Sequence, residues 1–302
     1  MSSRVGSVTL PAPVMTASGT AGHGAELADY FDVGELGAVV VKSLSAQPWA
    51  GNPAPRVHQT AAGMINSVGL QGPGIEAWLE DELPALLRRT DRVVASIWGF
   101  TVEDYEKAAA MLAEAPPEVV AVEVNLSCPN VEDRRLMFAH SCAAASEAIS
   151  ATAGCNRPRW AKLSPNVTDL VEIADAVLSA GADALTLVNT VMGMVVDVES
   201  RRPLLGSGPR GGGVSGPAIH PVAVRAVFDC RAAFPDAAIV GVGGVTTGED
   251  AVELLLAGAN AVQVGTATFA DPRAPLRVQN ELAAWCRRHG VSNVSDLIGA
   301  AQ

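Results

Sequence analysis

Basic charge is what this chain has least of. Across 302 residues, 21 lysines and arginines face 32 aspartates and glutamates, for a net charge of −11. Nucleic acid is therefore excluded as a partner, because phosphate backbones require a basic face. Aromatic residues make up only 4%, and no apolar run approaches the ~18 residues of a membrane-spanning helix. Met1 to Thr9 lacks a secretion signal's charged start and long apolar centre. A cytoplasmic protein with no membrane association is expected. The five cysteines, Cys128, Cys142, Cys155, Cys230 and Cys286, never pair as Cys-x-x-Cys, so neither a zinc site nor an iron–sulfur cluster finds its spacing. Their thiols are expected to stay reduced.

What is present is a regular alternation. The chain is 49% hydrophobic and 18% charged with a mean hydropathy of +0.25, enough for one large core. Strand candidates are Val14–Ala17, Ala38–Lys42, Arg92–Ile97, Val119–Asn125, Arg159–Leu163, Ala184–Asn189, Ala238–Val242 and Ala261–Gly265. Most are continuous apolar runs, as in parallel strands covered on both faces. Between them, helical periodicity predicts helices at 75–89, 102–114, 139–153, 218–234 and 275–289. A further helix runs from a cap at Asn166 to Gly181, and another from a capping box at Thr246–Glu249 to Gly258. Eight strand–helix units predict an α/β fold, a closed (β/α)8 TIM barrel in a single domain, 1–302. An open doubly wound sheet is the alternative; against it, no G-x-G-x-x-G opens a helix after the first strand. Two insertions rich in Gly, Pro and Asn, about 43–74 and 190–217, follow strands and would lie over the catalytic face.

In a barrel the chemistry gathers at the carboxyl ends of the strands. Those ends offer Ser18, Lys42-Ser43, Ser96, Asn125 with Cys128, Lys162, Asn189-Thr190, Gly243-Gly244 and Gly265-Thr266. The set has amides, hydroxyls, a thiol and two ammonium groups, but no carboxylate and no histidine. It suits a planar, polar, anionic ligand better than a metal ion or a glycosidic bond. Only three lysines exist, and both Lys42 and Lys162 end apolar runs, where an unused charge is costly. Glycines after the seventh and eighth strands favour a phosphorylated ligand, whose oxygens the exposed backbone N–H groups there would hold.

The stretch from Val122 to Asn130 ends a buried strand in amides, a hydroxyl, Cys128 and Pro129. With this loop and the two lysines placed, the chain resembles the class 1 dihydroorotate dehydrogenases from about Pro13 to Leu297. The motifs carrying the resemblance are Ala17-Ser18-Gly19-Thr20, Val41-Lys42-Ser43, Gly51-Asn52-Pro53-x-Pro55-Arg56 and Asn66-Ser67-Val68-Gly69-Leu70. Asn125 to Asn130, Asn189-Thr190, Ser215 to Ile219, Gly243-Gly244 and Gly265-Thr266 complete the series. The resemblance implies an FMN-dependent barrel of pyrimidine synthesis that oxidises dihydroorotate to orotate. It implies that Cys128 is the base for C5 while hydride from C6 passes to flavin N5. Asn66, Gly69, Leu70, Asn125, Asn130, Asn189 and Thr190 would hold the substrate, with Lys42 near both substrate and flavin. The flavin would be bound by Ser18, Lys42, Ser43, Ser96, Asn125, Lys162, Val188, Gly216, Gly243, Gly244, Gly265 and Thr266.

Within the class, Gly193–Pro221 and the motif from Gly63 to Leu70 look closer to the NAD-linked subclass. There a separate subunit carries FAD and an iron–sulfur cluster, around a homodimeric core. The fumarate-linked subclass is the alternative. Two departures from the family pattern bear on substrate: Ser96 stands where asparagine is usual, with Trp98 nearby in place of a small residue. Glu132 to Leu136 replaces a segment that usually contains glycine. A related dihydropyrimidine is therefore the second candidate substrate. Lys162 at a strand end also admits a flavin-free, lysine-based lyase, and the departures admit a catalytically inactive binding subunit.

Overall fold

The computed structural model of the protein describes residues 1–128 and 137–302. Asn130 and the segment 132–136, singled out above, lie outside the described residues. Eight parallel strands form one sheet: Val14–Thr16, Val39–Val40, Val93–Ile97, Val119–Asn125, Arg159–Lys162, Ala184–Leu187, Ile239–Val242 and Ala261–Val264. Strands two to eight lie side by side in chain order, and the eighth pairs back onto the first. At the seam between the first and second strands, Thr16 Oγ1 donates to Val40 O at 3.1 Å and accepts from Val40 N at 2.8 Å. Gly37 N adds a bond to Val14 O at 2.8 Å, so the ring of strands is nearly closed. This is the (β/α)8 barrel expected from the alternation, and every strand candidate falls on an observed strand.

Alternation along each strand decides what the barrel contains, because successive side chains point to opposite faces. Val122 and Val124 face the surrounding helices, whereas Ala121 packs inside the barrel among Ala38, Val40, Val94, Trp160, Ala184, Val240 and Ala261. Two and four residues beyond Ala121 on that same inward face stand Glu123 and Asn125. The interior is thus hydrocarbon at its base and polar toward the carboxyl ends. A hairpin not read from the sequence, Ser3–Val5 with Val8–Leu10, closes the base with Val5, Val8 and Leu10. Each such buried Val or Leu contributes about 1.5–3 kcal/mol of apolar burial.

The helices follow the expected pattern with local differences. Val102–Leu112 begins at a capping box in which Thr101 and Asp104 exchange bonds, typically worth about 1 kcal/mol. The helix expected after Asn166 instead starts at Leu170 under an Asp169 cap. Asn166 is drawn away, its amide donating to Thr190 O at 2.9 Å and accepting from Met192 N at 2.8 Å. Helix Gly248–Ala257 is boxed by Thr247 and Asp250, one residue later than the Thr246–Glu249 reading, and Thr246 bonds Asp250 from outside. The helix expected at 75–89 contains a π turn at Trp78–Glu82, where Pro84 has no N–H to give to the preceding turn.

The two insertions are more ordered than their composition suggests. Strands Val191–Gly193, Gly212–Ser215, Gly63–Asn66 and Val57–Thr60 form, in that order, an antiparallel sheet over the barrel mouth. Its glycines allow backbones to approach side chains closely: a Cβ at Gly213 would stand 2.0 Å from Thr190 Oγ1. Among the described residues no helix is long and apolar enough to cross a membrane.

Candidate active site

A cavity of about 340 Å³ opens at the carboxyl end of the barrel, beneath the inserted sheet, within the usual size range of small-ligand sites, about 300–1,000 Å³. Almost every residue singled out from the sequence lines it. One part of the wall carries Asn66, Gly69, Leu70, Asn125, Asn189 and Thr190. Another carries Ser18, Ser43, Val188, Gly216, Gly243, Gly244, Gly265 and Thr266. Lys42 and Lys162 line the cavity as well.

Asn125 and Asn189 form one chain of bonds. Asn125 Oδ1 accepts from Ser127 N at 3.2 Å and from Asn189 Nδ2 at 3.1 Å. Asn189 Oδ1 in turn accepts from Thr190 N at 2.7 Å. With its oxygen so engaged, Asn125 keeps its NH2 group without a protein acceptor among the described residues. The site therefore presents surplus donors and suits a ligand rich in carbonyl and carboxylate oxygens.

At the ends of the seventh and eighth strands, no protein acceptor among the described residues takes the backbone N–H of Gly243, Gly244, Gly265 or Thr266. Thr266 Oγ1 donates to Ser215 Oγ at 2.7 Å, tying the eighth strand's end to the inserted sheet. A Cβ at Gly265 would meet nothing closer than Ala17 Cβ at 3.4 Å, so the space above the backbone is free. Four unpaired N–H groups and open room are what a phosphate needs. Lys162 adds a buried cation beside the barrel axis. The chemistry of this donor set is compatible with a flavin mononucleotide, whose phosphate the free amides would bind and whose polar ring the lysines and side-chain amides would contact.

Cys128 and Ser96 sit behind the wall. Ser96 is fully buried and its hydroxyl bonds that of Ser43 at 2.9 Å, so it touches the cavity only through Ser43. Trp98 is likewise turned away, packed edge-on to Phe100 at 4.8 Å and Trp49 at 6.3 Å. Its bulk is absorbed outside the cavity. The Cys128 thiol, with no exposed surface, donates to Asn125 O at 3.4 Å; Tyr105 Oη donates to the same oxygen at 2.7 Å. Burial pushes this thiol up to about 12, against the opposing pull of Tyr105 and the Lys42 ammonium. Burial also draws Lys42 downward, partly offset by Cys128. Asn125, whose carbonyl accepts from the thiol, and Ser127, the chain neighbour of Cys128, line the cavity.

The family model of dihydroorotate dehydrogenase matches residues 1–285. The chain belongs to the dihydroorotate dehydrogenase family. Three similar proteins are each named the catalytic subunit of dihydroorotate dehydrogenase B (NAD(+)). That of Geobacter sp. (strain M21) is 46% identical over 303 residues, covering 100% of this chain and 98% of that protein. The Pelobacter propionicus protein is 46% identical over 291 residues, 96% of this chain and 94% of its own length. The Desulforudis audaxviator protein is 47% identical over 298 residues, with coverages of 98% and 96%. The matches support the class 1, NAD-linked reading of the motifs, and the family is flavin-dependent.

Two residues at the heart of the site were not read from the sequence. Glu123 and Gln263 lie one turn of the pleat below the strand ends, fully buried, and bond each other and Lys162. Their signal was available: each is the single polar side chain inside an otherwise apolar strand, Val119–Val124 and Ala261–Val264.

Proposed function

We propose that this chain is the catalytic subunit of an NAD-linked dihydroorotate dehydrogenase, oxidising (S)-dihydroorotate to orotate in pyrimidine synthesis. The observation that carries the reading is the union, in one cavity, of a donor-rich asparagine wall and a row of unpaired glycine-turn amides. Ser18, Ser43, Lys162, Val188, Gly216, Gly243, Gly244, Gly265 and Thr266 would hold FMN, which would supply a hydride acceptor. Asn66, Asn125, Asn189 and Thr190 bind the carbonyl and carboxylate oxygens of the pyrimidine, aided by backbone at Gly69 and Leu70. Lys42 balances the substrate's negative charge and favours the thiolate of Cys128. Cys128 takes the proton from C5, the general-base step. A partner subunit carrying FAD and an iron–sulfur cluster would supply the route by which electrons leave; the relatives' designation as catalytic subunits supports the existence of a second subunit.

The experiment is Cys128→Ala in the purified protein, mixed anaerobically with dihydroorotate. Flavin absorbance before mixing should match the wild type. Its bleaching should slow by about 10²–10⁴-fold near neutral pH, the usual contribution of a positioned base. Unchanged bleaching removes Cys128 from the mechanism. Faster bleaching by dihydrouracil than by dihydroorotate in the wild type replaces the substrate.

A further inference from the structure

Glu123 takes no part in the chemistry proposed above, yet it is a carboxylate with no exposed surface directly beneath the cavity. Its Oε1 accepts from Lys162 Nζ at 3.1 Å, and its Oε2 accepts from Gln263 Nε2 at 2.7 Å. Gln263 turns its own Oε1 to Lys162 Nζ at 3.3 Å, and Ser18 Oγ accepts from the same ammonium at 3.2 Å. The three hydrogens of the ammonium thus have three protein acceptors. Of these acceptors only Ser18 lines the cavity. A ligand atom that reaches Lys162 displaces Ser18, while Glu123 and Gln263 keep the ammonium anchored from below.

The charges matter as much as the bonds. Lys162 alone would present a full positive charge in a medium of low dielectric, where it acts strongly on any nearby charge. With Glu123 bonded to it, the buried pair is neutral overall, and its field on the cavity is that of a dipole. A reduced flavin carries more negative charge than an oxidised one. The carboxylate therefore offsets the stabilisation of the reduced form that the lysine supplies. Burying such a pair costs desolvation that hydrocarbon of the same volume would avoid, so stability alone does not account for it.

We infer that Glu123 is a positioning residue: it fixes the Lys162 ammonium at the cavity floor and lowers the preference of the site for reduced over oxidised flavin. This rests on the FMN reading above. In the working enzyme the effect keeps electrons from being trapped on the flavin, so that they pass on to the next acceptor.

The test is a dye-equilibrated redox titration of the flavin-loaded protein at pH 8, with dissociation constants for oxidised and reduced FMN. In Glu123→Gln the ratio of oxidised to reduced dissociation constants should rise at least tenfold, about 30 mV for a two-electron couple. Glu123→Asp keeps the charge and should restore the ratio to within threefold of wild type, whereas a merely structural role would treat both variants alike. Gln263→Glu, which adds a carboxylate at the same level, should lower the ratio. A ratio within twofold of wild type in flavin-loaded Glu123→Gln overturns the inference, as does a shift of the same sign in Glu123→Gln and Gln263→Glu. A wild-type protein that neither carries nor binds FMN overturns the cofactor reading itself, which separates the two failures.

Discussion

A base must be unprotonated to work, and the burial of Cys128 acts against that. With its thiol pushed up to about 12, only a small minority of molecules carries thiolate at pH 7. The sign of the pH dependence follows directly. Below that value the active form grows tenfold per pH unit, so flavin reduction by dihydroorotate should accelerate steadily from pH 6 to 9. Lys42 pulls the thiol in the opposite direction, toward ionisation. Lys42→Met should therefore slow reduction at every pH in this range and move the rising limb further to the alkaline side. Stopped-flow measurement of flavin bleaching across the range checks both statements. A rate indifferent to pH, or a limb that moves to lower pH in the variant, contradicts them. The cysteine and both lysines were legible as residues because their types are rare and they end apolar runs. Their surroundings were not: Tyr105, which shares the acceptor of the thiol, comes from helix Val102–Leu112, 20 positions before Asn125.

At the scale of elements, the barrel strands were readable because burial on both faces makes their sequences continuously apolar. The inserted sheet was hidden for the opposite reason. Its strands Gly63–Asn66, Val191–Gly193 and Gly212–Ser215 have neither an apolar run nor clean alternation. They pair because the barrel beneath brings their ends together, a long-range effect absent from any local window. That sheet is also what holds the substrate wall in place. Asn66 sits in the strand paired with Gly213, its amide reaches Gly213 O at 3.3 Å, and Gly213 lies against Thr190. A methyl at 213 must push Thr190 aside, because its Cβ would stand 2.0 Å from the hydroxyl. Gly213→Ala should raise the KM for dihydroorotate at least about tenfold, a loss of about 1.4 kcal/mol. Flavin content should fall less than substrate affinity, since the glycine turns at 243–244 and 265–266 belong to other elements, linked to this strand through Ser215 and Gly216. Loss of flavin together with substrate affinity would show instead that the sheet and the phosphate end form one unit. Polar positions within strands were the other blind spot. Alternation sends Glu123 and Gln263 inward, but only the ring of eight strands makes them neighbours, 140 residues apart in the chain.

For the molecule as a whole, the buried ionisable groups predict how stability responds to alkali. Burial raises the thiols of Cys128 and Cys230 from 9.0 to about 12, and it raises those of Cys155 and Cys286 as well. Tyr105 is moved in the same direction by its burial. Above pH 9 the unfolded chain releases these protons while the folded chain keeps them, so the unfolded state binds fewer and stability falls as pH rises. For Cys128 and Cys230 the window runs from 9.0 toward 12, and each contributes a slope of about 1.4 kcal/mol per pH unit there. Lys42 works in the other sense, since burial makes its folded form release a proton earlier than the unfolded chain does. One lysine does not offset four thiols and a tyrosine. Urea unfolding at pH 8, 9 and 10 should accordingly give midpoints that drop progressively once pH 9 is passed. Cys230→Ala separates this cause from the general repulsion of a chain carrying a net charge of −11. Cys230 packs in helix His220–Ala233, outside the cavity, so the variant keeps the site and loses one titrating thiol. Its stability at pH 8 should be lower by about 1 kcal/mol for the lost packing, yet its decline from pH 9 to 10 should be shallower than that of the wild type. Parallel declines in the two proteins would mean that surface charge, not the buried thiols, governs the alkaline limit.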